Sequence, residues 1–362
     1  MNNLYHGQYI GIFRYSGTLF TLMLNADTDR PGVGIGYINT AENESFIYEC
    51  FEVFEVNKVI NGKAKRSIPL EVLHGIKNKT EIQDNSIYEF KLDRSTDRHS
   101  LTASDQNPEN IEFIDCLSES AEHEATSLDS WQDYKDFVSN MYSRDRAAVF
   151  RGVSRKSFKL RTSFHRLGRT NLERYRHEDL PVFGDLAETI GGVNVGNENG
   201  AMWAYAQHHG FPTPLLDWSE SAYVAAYFAL SDRLNSIEDE EPARIYILSG
   251  SYVLEHSPQF LNLSETAPRI NIFKPKSKGN QRLIFQRGLF LISNVIDIES
   301  YLMKVSTNKQ QGVSPLTIVD IPASEARRAI ADLAFMGTHA MSLFPGLDGA
   351  TKFAMNKQFF KP

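Results

Sequence analysis

Residues 207–230, QHHGFPTPLLDWSESAYVAAYFAL, decide how the larger, C-terminal part of the chain is read. They begin at the end of a helical pattern, NGAMWAYAQHHG (199–210), that Gly210 stops. The prolines at 212 and 214 then enforce an extended, turn-rich passage through FPTPLLDW. Ser219 and Ser221 both suit the N-cap of the helix that follows, SAYVAAYFALSDRL. A His pair therefore sits beside Gly210 and the Asp-Trp turn, which brings titratable groups to the ends of these elements.

Working outward, short apolar runs read as strands at AAVFRG (147–152), ARIYILSG (243–250), RLIFQRGLFLI (282–292) and LTIVDIP (316–322). A helix is expected to begin after Ser127 or Asp129, because Leu128, Trp131, Tyr134, Phe137, Val138 and Met141 recur at helical spacing; its aromatics are read as core. SEARRAIADLAFMG (324–337) is a helix with a glycine stop, and LFPGLDGATKFAM (343–355) closes the pattern.

The N-terminal region differs in kind. Tyr9–Phe13, Leu19–Leu24, Phe46–Val56 and Ile87–Leu92 are β-branched or aromatic runs separated by Gly, Asn and Asp, so a small β-rich domain is expected. The GVGIG stretch (32–36) follows a proline and lacks the GxGxxG spacing of a dinucleotide site, so it reads as a hairpin or strand edge. From Asp93 to Ser127 the composition turns polar, broken only by IEFIDCL, which suggests a linker. The expected organisation is an accessory domain over 1–115, a linker over 116–127 and a second domain over 128–362, within an α+β class.

Composition supports a folded chain: 41% apolar and 23% charged residues, over a length that suggests two domains. No apolar run is long enough to span a bilayer, and the start lacks a basic segment followed by an apolar one, so a cytoplasmic protein without membrane attachment is expected. The two cysteines, Cys50 and Cys116, make neither a CxxC pair nor a disulfide framework. His165, His177, His208 and His209 have no metal-ligand spacing, and no GxSxG occurs, so neither a metal nor a serine nucleophile is expected. The net charge of −7 conceals a local excess: between Arg144 and Arg176 eleven Lys or Arg face two acidic residues. That segment is either a solvated surface or a phosphate-facing one.

Four blocks, FRG (150–152), QHHGFPTPLLDWSESAYVAAYFAL (207–230), RLIFQRGLF (282–290) and LFPGLDG (343–349), resemble the FRG-domain family in their order. The resemblance runs from about Arg146 to Lys352 and departs at one point: Pro214 stands where the family usually has Arg. The FRG domain in turn resembles the split-sheet ADP-ribosyltransferase fold. Arg151-Gly152 then matches that fold's first, Arg-Gly block. Its Ser-Thr-Ser block falls on Asp217, Trp218 and Ser219, so only the last serine is kept. The usual glutamate position falls on Arg282, with Gln286 next, and the strand has no Glu.

This resemblance implies NAD as substrate, with no metal. An enzyme breaking the nicotinamide bond must anchor the phosphates, hold the amide and stabilise an oxocarbenium-like centre. Arg151 suits the phosphates, the alternative being a structural ion pair with Asp217. Gly152 suits close backbone approach. Ser219 would hold Arg151 or the ribose, and Trp218 or Tyr227 would stack on the nicotinamide. His208 and Asp217 are the candidate bases, His208 being preferred to His209 on the QHxG pattern. Arg282 or Gln286 would orient the ligand. The expected activity is transfer of ADP-ribose to a macromolecule, most readily nucleic acid and RNA in particular, by a toxin or phage-defence effector with an antitoxin or chaperone partner. Arg166, Arg169 and Arg174 would hold that acceptor, with base stacking from Tyr37 and Phe46. The alternatives are a catalytically silent nucleotide-sensing or protein-binding module, for which the missing Glu argues, and NAD hydrolysis.

Overall fold

The computed structural model describes residues 3–15, 18–40, 45–66, 87–93, 98–103, 109–116, 123–191, 200–235, 240–258, 267–274, 281–308 and 314–359. The N-terminal half consists of β1 (Asn3–Leu4), β2 (Gly7–Tyr15), β3 (Thr18–Ala26), β4 (Val33–Thr40), β5 (Ser45–Val56), β6 (Val59–Arg66), β7 (Ile87–Asp93), β8 (Arg98–Ala103) and β9 (Glu109–Cys116). From β2 to β9 each strand pairs antiparallel with the next, and β9 returns to β2. The sheet therefore closes into an up-and-down barrel, in which every strand from β2 to β9 is paired on both sides, β5 also pairing with the short β1.

Strand periodicity sorts the barrel's side chains. Tyr9, Phe13, Leu24, Val53, Ile60, Phe90 and Leu92 pack together inside. Their sequence neighbours Ile10 and Met23, with Tyr37 and Ile47, instead pack against Val295 and Tyr301 of the second half. Alternation puts an apolar set on both faces, and docking buries the outer one. Tyr37, expected as an exposed stacking residue, is thus only 4% exposed. Phe46 carries the guanidinium of Arg66 at 4.4 Å from its ring centroid. Cys50 lies in the barrel core, where burial pushes its thiol up to about 12. The GVGIG stretch runs into β4, as a strand.

The polar stretch expected as a linker contains β8 and β9. The apolar break IEFIDCL falls, up to Cys116, in β9, while β8, RHSLTA, has little apolar patterning to mark it as a strand. Residues 117–122 lie outside the described residues. Beyond them, β10 (Thr126–Ser127) already pairs with the second sheet.

The second half places helices on both faces of a sheet. Its elements are α1 (Trp131–Arg144), β11 (Val149–Val153), α2 (Ser163–Arg166), α3 (Leu172–Arg174), α4 (Leu180–Gly191), α5 (Ala201–His208), β12 (Leu215–Ser219), α6 (Ala222–Ser231), β13 (Ala243–Leu248), α7 (Gly250–Glu255), β14 (Ile270–Phe273), α8 (Gln281–Phe285), β15 (Gly288–Ser293), α9 (Ile298–Asn308), β16 (Leu316–Ile321), α10 (Ala326–Phe335), α11 (Ala340–Leu343) and α12 (Leu347–Phe359). The strand order is β10-β16-β13-β11-β12-β15-β14. Ser130 caps α1, and Trp131 and Tyr134 are buried as expected. Ser221, rather than Ser219, caps α6, accepting a hydrogen bond from Val224 N. The run RLIFQRGLFLI is a strand only from Gly288 onward: Gln281–Phe285 is a helical turn, and Arg287 with φ 47° makes the break. Among the described residues, no helix is long and apolar enough to cross a membrane.

One pairing in this sheet is exceptional. β13 and β16 pair over six residues, and β12 and β15 over five, whereas β11 and β12 meet only at Phe150↔Ser219. Arg151 and Gly152 pair only with β13, while Asp217 and Trp218 pair only with β15. The sheet therefore splays apart immediately beyond Phe150 and Ser219.

Candidate functional site

A cleft of about 390 Å³ opens at this divergence. Arg151 and Gly152 come from β11, Asp217, Trp218 and Ser219 from β12, Gln207 and His208 from the end of α5, and Arg282 and Gln286 from around α8. Phe158, Phe228 and Asp232 complete the wall on which the argument below draws. Residues spread over more than a hundred positions of sequence thus converge at one place, and most of those singled out from the sequence are among them.

The guanidinium of Arg151 bridges the split: its Nη1 donates to the backbone carbonyl of Asp217 at 2.5 Å. This is not the ion pair considered as its structural alternative, because the bond is to the carbonyl and not to the carboxylate. Desolvation disfavours the charged form of Arg151, and the nearby Asp217 carboxylate opposes that effect. The Asp217 carboxylate is itself oriented by Gln207, whose Nε2 donates to Oδ2 at 3.0 Å. Gln207 is held in turn by the Thr213 hydroxyl, which donates to its Oε1. A fixed amide-to-carboxylate bond of this kind explains the Gln of QHHG and the Thr of FPTP, neither of which the sequence had marked as functional.

His208 is half-buried on the cleft wall, whereas His209 is exposed and packs on Tyr205. Burial lowers the pKa of His208 from its ordinary value; Asp217 counteracts this, and Arg282 and His209 reinforce it. The imidazole is therefore neutral near pH 7 and able to accept a proton.

Several expected roles change. The hydroxyl of Ser219 donates to Gln286 O at 2.7 Å and accepts from Ser221 N at 3.0 Å, so it ties β12 to the turn before β15 and makes no bond to Arg151. Gln286 sends its side-chain amide to Leu343 O at 3.1 Å, which fixes the LFP block against the cleft. Tyr227, expected to stack on a ligand, is 3% exposed within the core, and its neighbour Phe228 lines the cleft instead, since successive helical residues point about 100° apart. Trp218 contributes to the wall, but it is only 3% exposed and belongs to the buried cluster that includes Leu289 and Leu291. Gly152 has a packing reason for lacking a side chain: a Cβ there would lie 1.9 Å from Ala225 O, where β11 presses on α6. Arg282 stands on α8 rather than on a strand, exposed, with its guanidinium carbon 4.6 Å from the centroid of the Phe344 ring. Pro214 is buried and does not line the cleft, and its carbonyl accepts from Ser293 N. Asp232, at the end of α6, adds a second carboxylate that no motif had marked.

The three arginines assigned to an acceptor strand do not act together. Arg169 pairs with Asp27, Asp29 and Asp179, and Arg174 with Asp27, Asp29 and Glu178. Their side chains are 16% and 12% exposed, at the contact between the barrel and the second half. Cations saturated by carboxylates have no charge left for phosphate, so these two are corrected to interface residues. Arg166 remains exposed; it donates to Arg161 O, and its charge reaches Arg151.

What these features define is a mixed α+β protein with a polar cleft at the splay between two central strands. The sequence profile of the FRG domain matches residues 146–238, so this part of the chain is an FRG domain. The match takes in β11, α5, β12 and α6, while the blocks at 282–290 and 343–349 lie beyond it. No curated protein and no solved structure matches the chain.

Proposed function

We propose that the cleft binds NAD and transfers ADP-ribose to a nucleic-acid acceptor. The observation that carries this reading is the gathering of Arg151, His208, Asp217 and Arg282 at a place where two strands separate after a single pair. A splayed sheet of that kind is what an ADP-ribosyltransferase-like fold requires. The cleft volume is at the lower end of the roughly 300–1,000 Å³ usual for ligand sites, which suits the nicotinamide riboside portion with the phosphates toward the mouth. Arg151 would meet the phosphates, Phe158, Phe228 and the Trp218 edge would provide apolar wall, and Asp217, held by Gln207, would face the developing positive charge on the ribose. Neutral His208 would take the acceptor's proton as the C1′–nitrogen bond breaks and nicotinamide leaves with the bonding pair.

A second reading is a nucleotide-binding module without transfer. It is favoured by the absence of any Glu from β15 and by the structural engagement of the Ser219 hydroxyl. Incubating the full chain with NAD and cell extract, followed by mass analysis, separates the two. Nicotinamide release with a modified nucleic acid supports transfer, whereas NAD binding without turnover supports the module.

A further inference from the structure

Four cations at or beside the cleft make no direct ion pair with a carboxylate among the described residues, in contrast to Arg169 and Arg174. Arg151 and Arg166 form one group: each donates to a backbone carbonyl, and each lies within the other's field. Arg282 and Lys352 form the other. The Arg282 guanidinium carbon is 4.6 Å, and the Lys352 ammonium 4.8 Å, from the centroid of one ring, that of Phe344. Phe344 in turn meets Phe228 of the cleft wall edge-on at 5.8 Å. Arg151, Asp217, His208 and Arg282 line the same cleft, and Lys352 reaches it through the ring of Phe344.

Two like charges brought onto one ring repel each other, and an anion bound beside them relieves that repulsion. Lys352 is not among the residues that line the cleft, so a dinucleotide seated there would not engage the whole pair. Phe285, 50% exposed and on the same helical turn as Arg282, supplies a face on which a nucleobase can stack, so the features here combine phosphate-binding cations with an aromatic surface.

We infer that Arg282 and Lys352, brought together on the ring of Phe344, form a second anion-binding pole that holds the terminal phosphate of a nucleic-acid strand, beside the Arg151 pole that holds the NAD phosphates. The division of labour between the poles rests on the transfer reading above; the existence of the second pole does not.

The test uses the full chain and a ribo-oligonucleotide labelled at its 3′ end, with either a 5′-phosphate or a 5′-hydroxyl, in fluorescence anisotropy at low salt. The phosphorylated strand is expected to bind about tenfold more tightly. Lys352→Gln should remove that preference, Lys352→Arg should restore it, and NAD affinity by calorimetry should stay the same in both, as Lys352 is an exposed residue outside the NAD pole. Equal binding of the two strands, or a preference that survives Lys352→Gln, overturns the inference. So does competition by inorganic phosphate at the same concentration as the strand, which would assign the pole to the free anion. A strand preference without NAD binding would end the transfer reading and leave the pole standing; NAD binding without strand preference would do the reverse.

Discussion

Arg151 shows how a residue can be legible in type and position yet not in its partner. An Arg-Gly pair closing an apolar strand marked it, but the carbonyl it grips belongs to Asp217, 66 residues away, and only the splay of β11 from β12 brings them together. Arg151→Ala should lower NAD-dependent turnover by about a hundredfold or more, by loss of charge stabilisation. Stability should fall by only about 1 kcal/mol, the worth of one hydrogen bond, which thermal unfolding of the variant would check. His208 makes a separate prediction. Burial favours its neutral form, so its pKa lies below 6.5, and protonation switches the base off only under that value. The acid limb of a pH–rate profile should therefore fall below pH 6.5 and be lost in His208→Gln; a limb above 6.5 would assign the base elsewhere. Tyr227 is buried away from the cleft, and the Ser219 hydroxyl bonds Gln286 O and Ser221 N rather than Arg151, for the same reason: residue type shows what a side chain can do, and neighbours distant in sequence decide what it does.

Elements with a clear period were readable. Helix α6, strands β11, β13 and β16 and the first barrel strands lie where apolar spacing puts them, because one face of each must be buried whatever its partner. Helix α8 was not, since LIF reads equally well as either type over so few residues; the turn at Arg287 and the contact of Leu283 with the core settle it as helical. Gly152 belongs to this scale, being the position that lets β11 approach α6. Gly152→Ala should cost about 1–3 kcal/mol through overpacking, because the obstacle is backbone and cannot swing away; a lowered unfolding midpoint would be the readout. Gly349 has the same function where α12 meets α11, with a Cβ lying 2.0 Å from Phe344 O, which accounts for the second glycine of LFPGLDG.

At the scale of the whole molecule, the decisive feature is the docking of the barrel. The β3–β4 turn carries Asp27, whose carboxylate accepts from Thr170 N at 2.7 Å and Asn171 N at 3.1 Å and pairs with Arg169 and Arg174. Asp27→Ala would leave the amides of Thr170 and Asn171 without their acceptor and remove one of the carboxylates shared by Arg169 and Arg174, whose other partners remain, and should cost about 1–3 kcal/mol, seen as a lowered unfolding midpoint or as proteolysis between the halves. Replacing Arg169 and Arg174 should likewise lower stability, and leave the salt dependence of strand binding as it was. Asp29 adds a pH signature. Its hydrogen bond with Arg174 holds its carboxyl at about 2, well below the ordinary aspartate range, so its contribution is complete above the unfolded value and disappears as pH falls through about 2. The stability gap between wild type and Asp29→Asn should accordingly close between about pH 4 and pH 2. By itself the sequence determined the two-part α+β organisation, the basic segment and the residue types at the cleft, because periodicity, caps and charge are local properties. Tertiary structure alone decided that the N-terminal sheet closes into a ring, that Arg169 and Arg174 face acids of the barrel, and that Arg282 shares a ring with Lys352. Each of these depends on which distant groups meet, and local spacing carries no record of that.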